Sequence, residues 1–511
     1  MIRTSLIITI LSFLCGLISF ANQIIIAKLF GASAQLDAYL IAVSAPLMLV
    51  GILTGIFTFS LIPIQVSYRN DILFYGNFSG LLFIIFLGLS VAIALIGYII
   101  APTFIQLFAP QLSEPYQSQA IYMNRICWFT AGSSAMMSYF VSMHNAARKF
   151  ILPIIGNIFP YIGMIVTSLL WGSLIGTTTL AWGMFAGSVL SIIILYPSIS
   201  RDINILHVCF SLLPKVFGIF KKLPLVLLSM LCFTVYGIID AFWAVRLGPG
   251  NVSYLGYNQR LLIGLGNLVI AGPAIVLLPY LSEKFISGDY KHFHTYVRQS
   301  LRMVLLLSAS IAIIVSMLAV PVIELLFQRG EFDSSATYGV TNILPFMMIG
   351  MVAMLEVVII FKILYSKGDF YRAAILGVIA TITYFLLSGV LSKFWGLKGI
   401  GVAYAVSWWA VFSVSMSFIY KGQLQNLCNR ENFSFLRDLI ITLVILGVSA
   451  LLCKHSLIKP IAEVGAFHLS LQLLATFTIC VGGFFITTFS ILKMQEVKII
   501  IYSLFHREVS S

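Results

Sequence analysis

Fourteen times along this chain an apolar run of roughly 18 to 29 residues passes with hardly a charge inside it. About 20 apolar residues are what an α-helix needs to cross the hydrocarbon of a bilayer. Inside lipid the backbone must satisfy its own hydrogen bonds, so runs of this length are expected to be helices. They fall at roughly 5–29, 38–66, 78–104, 121–145, 151–173, 178–199, 222–246, 255–282, 299–320, 337–365, 371–392, 399–420, 436–453 and 466–492. The expected fold is an all-α polytopic membrane protein of fourteen transmembrane helices. A water-soluble domain needs charge on about a quarter of its surface or more. Here 60% of residues are hydrophobic and 9% charged, with a mean hydropathy of +1.04, which excludes that class. The start, with Arg3 before an apolar run that passes Ser19-Phe20-Ala21, has the outline of a secretory signal. The run continues to Leu29, so a retained first helix is expected.

Basic residues in the connections set the orientation. With the N-terminus inside, 21 of the 30 lysines and arginines fall on inner segments, seven fall outside, and Arg125 and Arg260 lie within spans. Both termini are therefore expected in the cytoplasm. The net charge of +13 describes an inner face turned toward anionic lipid headgroups, which makes nucleic acid an unnecessary partner.

The longest connections, about twenty residues, leave no room for a soluble catalytic domain. Segment 201–222, "RDINILHVCFSLLPKVFGIFKK", alternates apolar and basic residues like a helix lying on the inner membrane surface. It is also the seam between two related halves. "AKLFG" resembles "VRLG", "SLIPIQVS" resembles "VLLPYLSE", and "LAWGMFAGSVLS" resembles "VAYAVSWWAVFS", all at offsets of 216 to 222 residues. This is the parallel-repeat pattern of transporters in which two bundles rock about a central site. The expected organisation is an N-lobe over 1–200, an interfacial linker over 201–222, a C-lobe over 223–420, and two extra helices with a cytoplasmic tail over 421–511.

Chemistry on bonds finds no support in the sequence. The seven cysteines contain no CxxC pair and the seven histidines no HExxH, so neither a disulfide framework nor a metal site is expected. "GLGNL" at 264–268 lacks a preceding strand and a third glycine, and "GMFAG" (Gly183 to Gly187) and "GILTG" (Gly51 to Gly55) read as small-residue helix contacts.

What remains is the intramembrane polar inventory, since a charge at mid-bilayer costs about 2.5–3.5 kcal/mol even on insertion scales. Asp37, at the head of the second span, reads as a cap on free backbone N–H groups, as an outer gate paired with Lys28 or Arg260, or as both. Arg260 sits about 9 Å into the eighth span beside Tyr257, Asn258 and Gln259. It either snorkels outward or offers a planar fork to two phosphate oxygens. Arg125 is open to the same two readings. Asp240 has no ion partner in its own helix and reads as a cation site, a protonated carboxyl or half of an interhelical pair. For Glu356 the expectation is a pair with a neighbouring helix.

Several stretches together resemble the MurJ/MviN family of lipid II flippases, within the multidrug/oligosaccharidyl-lipid/polysaccharide exporter superfamily. They are "AKLFGASAQLDAYLIA", "VSYLGYNQRLLIGLGNLVIAGPAIVLLPYLSEKF", "LLFQRGEFD" and "ILYSKGDFYRA". The resemblance implies two six-helix lobes around a cationic cavity, with the last two helices forming a groove for a polyprenyl tail. It also implies a substrate that is an undecaprenyl-diphosphate-linked saccharide, moved from inner to outer leaflet of a bacterial plasma membrane. Arg260 matches the family's cavity arginine and Asp37 its aspartate at the second helix. Asp240 matches an aspartate that some members use to hold sodium, and Thr381, Thr383 and Ser388 stand near the family's polar position in the eleventh helix, itself Phe385 here. Where family members carry arginines in the first two helices, this chain has Asn22, Gly16 or a near neighbour, and Val50.

The expected function is alternating-access flipping of such a lipid, lipid II first. Arg260 would hold phosphate, with Asn22, Tyr257, Asn258, Gln259, Asp37 and Arg125 lining the polar path. No cofactor is expected, coupling being to Na+ or H+ and the membrane potential, with Asp240, Thr381 and Thr383 as the cation ligands. The partners are the carrier lipid, membrane lipids and cell-wall synthesis enzymes. The rivals are a flippase for another lipid-linked oligosaccharide, a cation-coupled exporter of small molecules using Asp240, and a scaffold for cell-wall enzymes.

Overall fold

The structure is a computed structural model that describes residues 2–56, 61, 65, 72–204, 223–286, 289–419, 430–459 and 461–491. Among these the regular elements are helices, with no strand. In chain order they are α1 (Ile2–Phe30), α2 (Ala34–Ile56), α3 (Ile72–Phe108), α4 (Glu114–Ala146), α5 (Ile151–Gly156), α6 (Phe159–Ile175), α7 (Thr178–Leu195), α8 (Leu223–Thr234) and α9 (Tyr236–Ala244). There follow α10 (Asn251–Ile286), α11 (Tyr290–Met317), α12 (Ala319–Phe327), α13 (Ser334–Thr341), α14 (Leu344–Ser366), α15 (Phe370–Trp395), α16 (Leu397–Ile419), α17 (Arg430–Ser456) and α18 (Ile461–Phe485).

Eleven helices among the described residues are long and apolar enough to cross a membrane. The count is twelve if Leu228–Thr234 and Tyr236–Leu247, bent by 46°, form one broken span. The chain is thus a multi-pass membrane protein. Two further helices, α4 and α10, have 33 and 36 residues and overlap the spans expected at 121–145 and 255–282. The expected interfacial segment 201–222 falls outside the described residues from 205 onward, as does the tail beyond 491.

Local sequence sets several boundaries. Prolines occupy the first turn of α4, α6 and α14, where the missing N–H would have had no partner in any case. Asp289 and Asp369 cap α11 and α15 by accepting the backbone N–H of His292 and Arg372. The span expected at 151–173 is present as Ile151–Ile175, with α5 and α6 meeting at Asn157–Ile158 within it.

The described chain forms two compact units. The first comprises Met1–Gly256 with Arg329–Ala336, the second Tyr257–Gln328 with Thr337–Ser511. In the first, α2 and α3 pack on α4, α4 and α6 on α7, α1 on α6, and α8 and α9 on α2. Its core centres on Phe78, Leu82, Phe86, Tyr139, Phe140 and Leu195. The glycine pair of "GMFAG" does what small residues do at a helix crossing: a side chain at Gly187 would run into the backbone of Phe159 and Pro160. In the second unit, α14 packs on α11 and α16, α15 on α16, and α11 on α17, while α18 meets α12 and α17. There the core gathers Leu306, Leu318, Leu446, Leu469 and Cys480.

Candidate functional site

Asp37 stands in the first turn of α2 and is 2% exposed. Its Oδ2 accepts the backbone N–H of Gly250 at 2.6 Å. Its Oδ1 accepts the backbone N–H and the hydroxyl of Ser253 at 2.7 and 2.6 Å. A helix leaves its first N–H groups unpaired and carries the positive end of its dipole there. The carboxylate therefore caps α10, a helix more than 200 residues further along the chain, and neither its own helix nor Lys28 receives it. The cap expected from sequence is present, on a different helix.

The same carboxylate edges a cavity of about 210 Å³ lined also by Gln111, Ser113, Tyr116 and Arg246. Arg246 lies over the Phe242 ring, 3.5 Å from its centroid, and donates to the carbonyls of Phe108, at 3.3 Å, and Phe242. This arginine is not among the residues that the sequence singles out. Its signal was its place in "VRLG", the counterpart of the "AKLFG" stretch that precedes Asp37.

Lys28 takes part through its backbone. Its carbonyl accepts the N–H of Glu331 at 3.0 Å. Gly31 and Gly330, both in the left-handed region at φ 58 and 60°, make this approach feasible. A Cβ on Gly31 would collide with the carbonyl of Glu331, and one on Gly330 with that of Lys28. The "RGEFD" part of the longer motif is thereby seated against the end of α1, within the first unit.

Further along α10, Tyr257 and Asn258 are buried, whereas Gln259 and Arg260 are half-buried. The Tyr257 ring rests 5.1 Å from that of Phe327, and the Asn258 amide donates to the Val340 carbonyl at 3.0 Å. Both fix α10 within the second unit. Arg260 is the residue of this quartet that combines a permanent charge with partial exposure. Ser253, Tyr257 and Arg260, at i, i+4 and i+7, share one face of the helix.

The remaining candidates have separate surroundings. Asn22, 1% exposed on α1, donates to the Met164 sulfur at 3.7 Å, and its Oδ1 has no partner. The Arg125 guanidinium lies 4.6 Å above the ring of Tyr98, which is 42% exposed, the geometry of an arginine lying against an outer face. Asp240 is buried on α9. Thr381 and Thr383 are half-buried on α15, and their hydroxyls donate to the carbonyls of Gly377 and Ile379 one turn back. Glu356, expected in an interhelical ion pair, makes none with the described residues and is 1% exposed. No group of three or more His, Cys, Asp or Glu that could hold a metal occurs among the described residues.

Residues 26–469 match the family profile described as "Lipid II flippase MurJ". A protein of Buchnera aphidicola from Acyrthosiphon pisum, named probable lipid II flippase MurJ, is 22% identical over 478 residues, covering 90% of this chain and 91% of its own. The lipid II flippase MurJ of Burkholderia cenocepacia is 24% identical over 362 residues, 68% of this chain and 69% of its own. Among solved structures, a lipid II flippase MurJ in an inward closed conformation superposes with a TM-score of 0.75 at 18% identity, over 95% of this chain and all of the other. A multidrug resistance MATE transporter of the MOP superfamily, facing inward, gives a TM-score of 0.67 at 16% identity, over 80% of this chain and 95% of its own. At such identities the two structures speak to the fold alone.

Proposed function

We propose that this chain flips lipid II across the membrane, and the premise is its family: it belongs to the MurJ lipid II flippases. The observation that carries the reading is the family match over residues 26–469, and the chemistry of a half-buried arginine on α10 is compatible with it. A diphosphate-linked sugar cannot cross hydrocarbon bare, so a protein that moves it must expose a wetted polar surface to each side in turn. Arg260, half-buried on a helix whose first turn is clamped by Asp37, suits the diphosphate: its guanidinium stays charged and presents two parallel donors. Asn22 and Gln259 serve the sugar and pyrophosphate, while Tyr257 and Asn258 hold α10 in place.

The arrangement belonging to this reading has fourteen spans in two six-helix lobes, with the last pair beside the polyprenyl tail and both termini in the cytoplasm of a bacterium bounded by its inner membrane. Arg125 serves at the outer end. An inside-negative potential favours outward movement of anionic headgroups by about 2.3 kcal/mol per charge per 100 mV. Coupling is to Na+ or H+, with Asp240 on α9 as the candidate carboxylate and Thr381 and Thr383 on α15 as the candidate hydroxyls. No bond in the substrate is made or broken, so the protein is a transporter and not an enzyme.

The experiment is reconstitution of the purified chain in vesicles carrying labelled lipid II on one leaflet, with accessibility to an impermeant reagent as the readout. Transfer faster than in protein-free vesicles is expected. Transfer of a different undecaprenyl-diphosphate oligosaccharide, with lipid II left behind, would overturn the assignment of substrate.

A further inference from the structure

Glu356 lies twelve residues, about 18 Å, along α14 from Leu344 and ten from Ser366, in the middle of a span of which 72% is buried. Its side chain is 1% exposed and its Oε1 has no hydrogen-bond partner. No described residue forms an ion pair or a hydrogen bond with it. A carboxylate in such a place loses its hydration and gains nothing in return, at a cost of several kcal/mol. The neutral acid loses far less.

The neighbouring helices bear this out. Glu356, Ile360, Ile363 and Lys367 share a face of α14 by their spacing, and the Lys367 ammonium lies 5.1 Å from the Phe293 ring centroid on α11. Phe293, Val297, Leu301, Val304 and Ser308 form the buried stripe of α11. Eleven residues separate Glu356 from Lys367 and Val304 from Phe293, so in this antiparallel pair the carboxyl stands level with valine. The nearest hydroxyl of that stripe, Ser308, donates to its own Leu305 carbonyl.

The described charged and titratable groups of the surrounding elements are engaged elsewhere or far along their helices. On α11, Arg298 pairs with Glu431 at 2.9 Å, Arg302 donates to Asn432 at 2.6 Å, and His294 is exposed. On α16, Tyr404 donates to the Met354 sulfur at 3.2 Å and Lys398 sits in the first turn. On α15, Tyr384 rests against Tyr404, while Tyr371, Arg372 and Lys393 occupy the two ends. α10 approaches at Gly266, where a Cβ would come 3.2 Å from Leu355; its Arg260 stands six residues, about 9 Å, before that point, and Tyr257 lies against Phe327. On α14 itself, Lys362 is half-buried a turn and a half away and forms no pair with Glu356.

We infer that Glu356 is a proton-binding site: it holds a proton in the conformation described here and gives it up to water when α14 and α11 separate enough to wet it. The proton leaves the carboxyl oxygen for a water molecule and returns when the helices close again, so each cycle moves one proton on and one off. Movement of α11 against α14 is thereby linked to pH. The proton site stands independently of the transport reading, and only its effect on flipping rests on that reading.

The test uses the full-length protein in lipid. At about pH 7, where an ordinary glutamate is ionised, the infrared spectrum of wild type minus Glu356→Gln should contain the carbonyl band of a protonated carboxylic acid. Absence of that band overturns the inference. Glu356→Leu guards against misfolding as an explanation. An unpaired neutral acid is dispensable, so this variant should melt at or above the wild-type temperature, and a large drop would reveal a required partner and overturn the site. In flipping assays the wild-type rate should change several-fold between mildly acidic and mildly alkaline buffer on both sides, and that of Glu356→Gln should not. A pH response left intact in Glu356→Gln overturns the link to transport. A wild type that shows the band but moves no lipid II condemns the flippase reading and spares the proton site.

Discussion

Asp37 and Ser253, 216 residues apart in sequence, are joined by two hydrogen bonds of 2.7 and 2.6 Å that seat the head of α10 on α2. With the third bond to Gly250, one carboxylate serves three donors. Asp37→Ala leaves two buried amides and a hydroxyl without an acceptor. At about 1–3 kcal/mol for each of the three unsatisfied buried groups, a loss of roughly 3–9 kcal/mol is expected. Asp37→Asn keeps an acceptor oxygen but no charge, and should lose about half as much. Thermal melting in detergent measures both, and equal melting of Asp37→Ala and wild type would remove the cap from the account of α10.

Arg260 contributes both charge and shape. Removing a charge-assisted contact worth about 1.5–3 kcal/mol should slow flipping roughly ten- to a hundredfold in Arg260→Ala. Arg260→Lys keeps the charge without the planar fork and should fall between. An unchanged rate in the alanine variant would take Arg260 out of the substrate path. Because the residue is half-buried and lies beyond the clamped first turn, melting should shift far less than transport.

Asn22 separates folding from transport in the opposite direction. Among the described residues its Nδ2 reaches only a sulfur, at 3.7 Å, and its Oδ1 has no partner. Replacing a poorly satisfied buried amide by an apolar group of similar shape is near neutral or stabilising. Asn22→Leu should therefore melt no lower than wild type while flipping declines, if the amide serves the substrate. A fall in both, measured on the same preparation, would make it a structural residue.

The close approach of Gly31 to the Glu331 carbonyl and of Gly330 to that of Lys28 predicts steric intolerance. Either residue changed to alanine drives a methyl into a backbone carbonyl and also strains a positive φ. A cost of about 1–3 kcal/mol is expected for each. Limited proteolysis around residues 329–336 should accelerate in both variants, and protection equal to wild type would show that the loop is held by other means.

Much of the architecture could be read in advance because the bilayer imposes a single length on every span. Runs such as 371–392 and 399–420 coincide with α15 and α16 to within a few residues. Where a helix outlasts the hydrocarbon, length alone misled: α3 runs for 37 residues against the 27 expected. The break between α8 and α9 at Val235 has no proline beside it, and Gly237, two residues on, is the one local cue. The candidate site was legible as a set of residue types, since charges in lipid need a reason. Their partners were not. Asp37 was expected to cap a helix, but a sequence does not show that the amides lie beyond residue 249. Glu356 was expected to be paired, because pairing is the commoner remedy for a buried charge, and neutralisation leaves no trace in the order of residues.

The break at Val235 also bears on the aspartate just beyond it. Asp240 follows by five residues, about 7.5 Å, on the short second piece α9. A swivel of about 10° at the bend carries its carboxylate through about 1.3 Å. Metal–ligand distances tolerate only about 0.2 Å. For the ion proposed at Asp240, a pivot so close to its load would act as a release catch, since a tilt of that size exceeds the tolerance of its coordination several-fold.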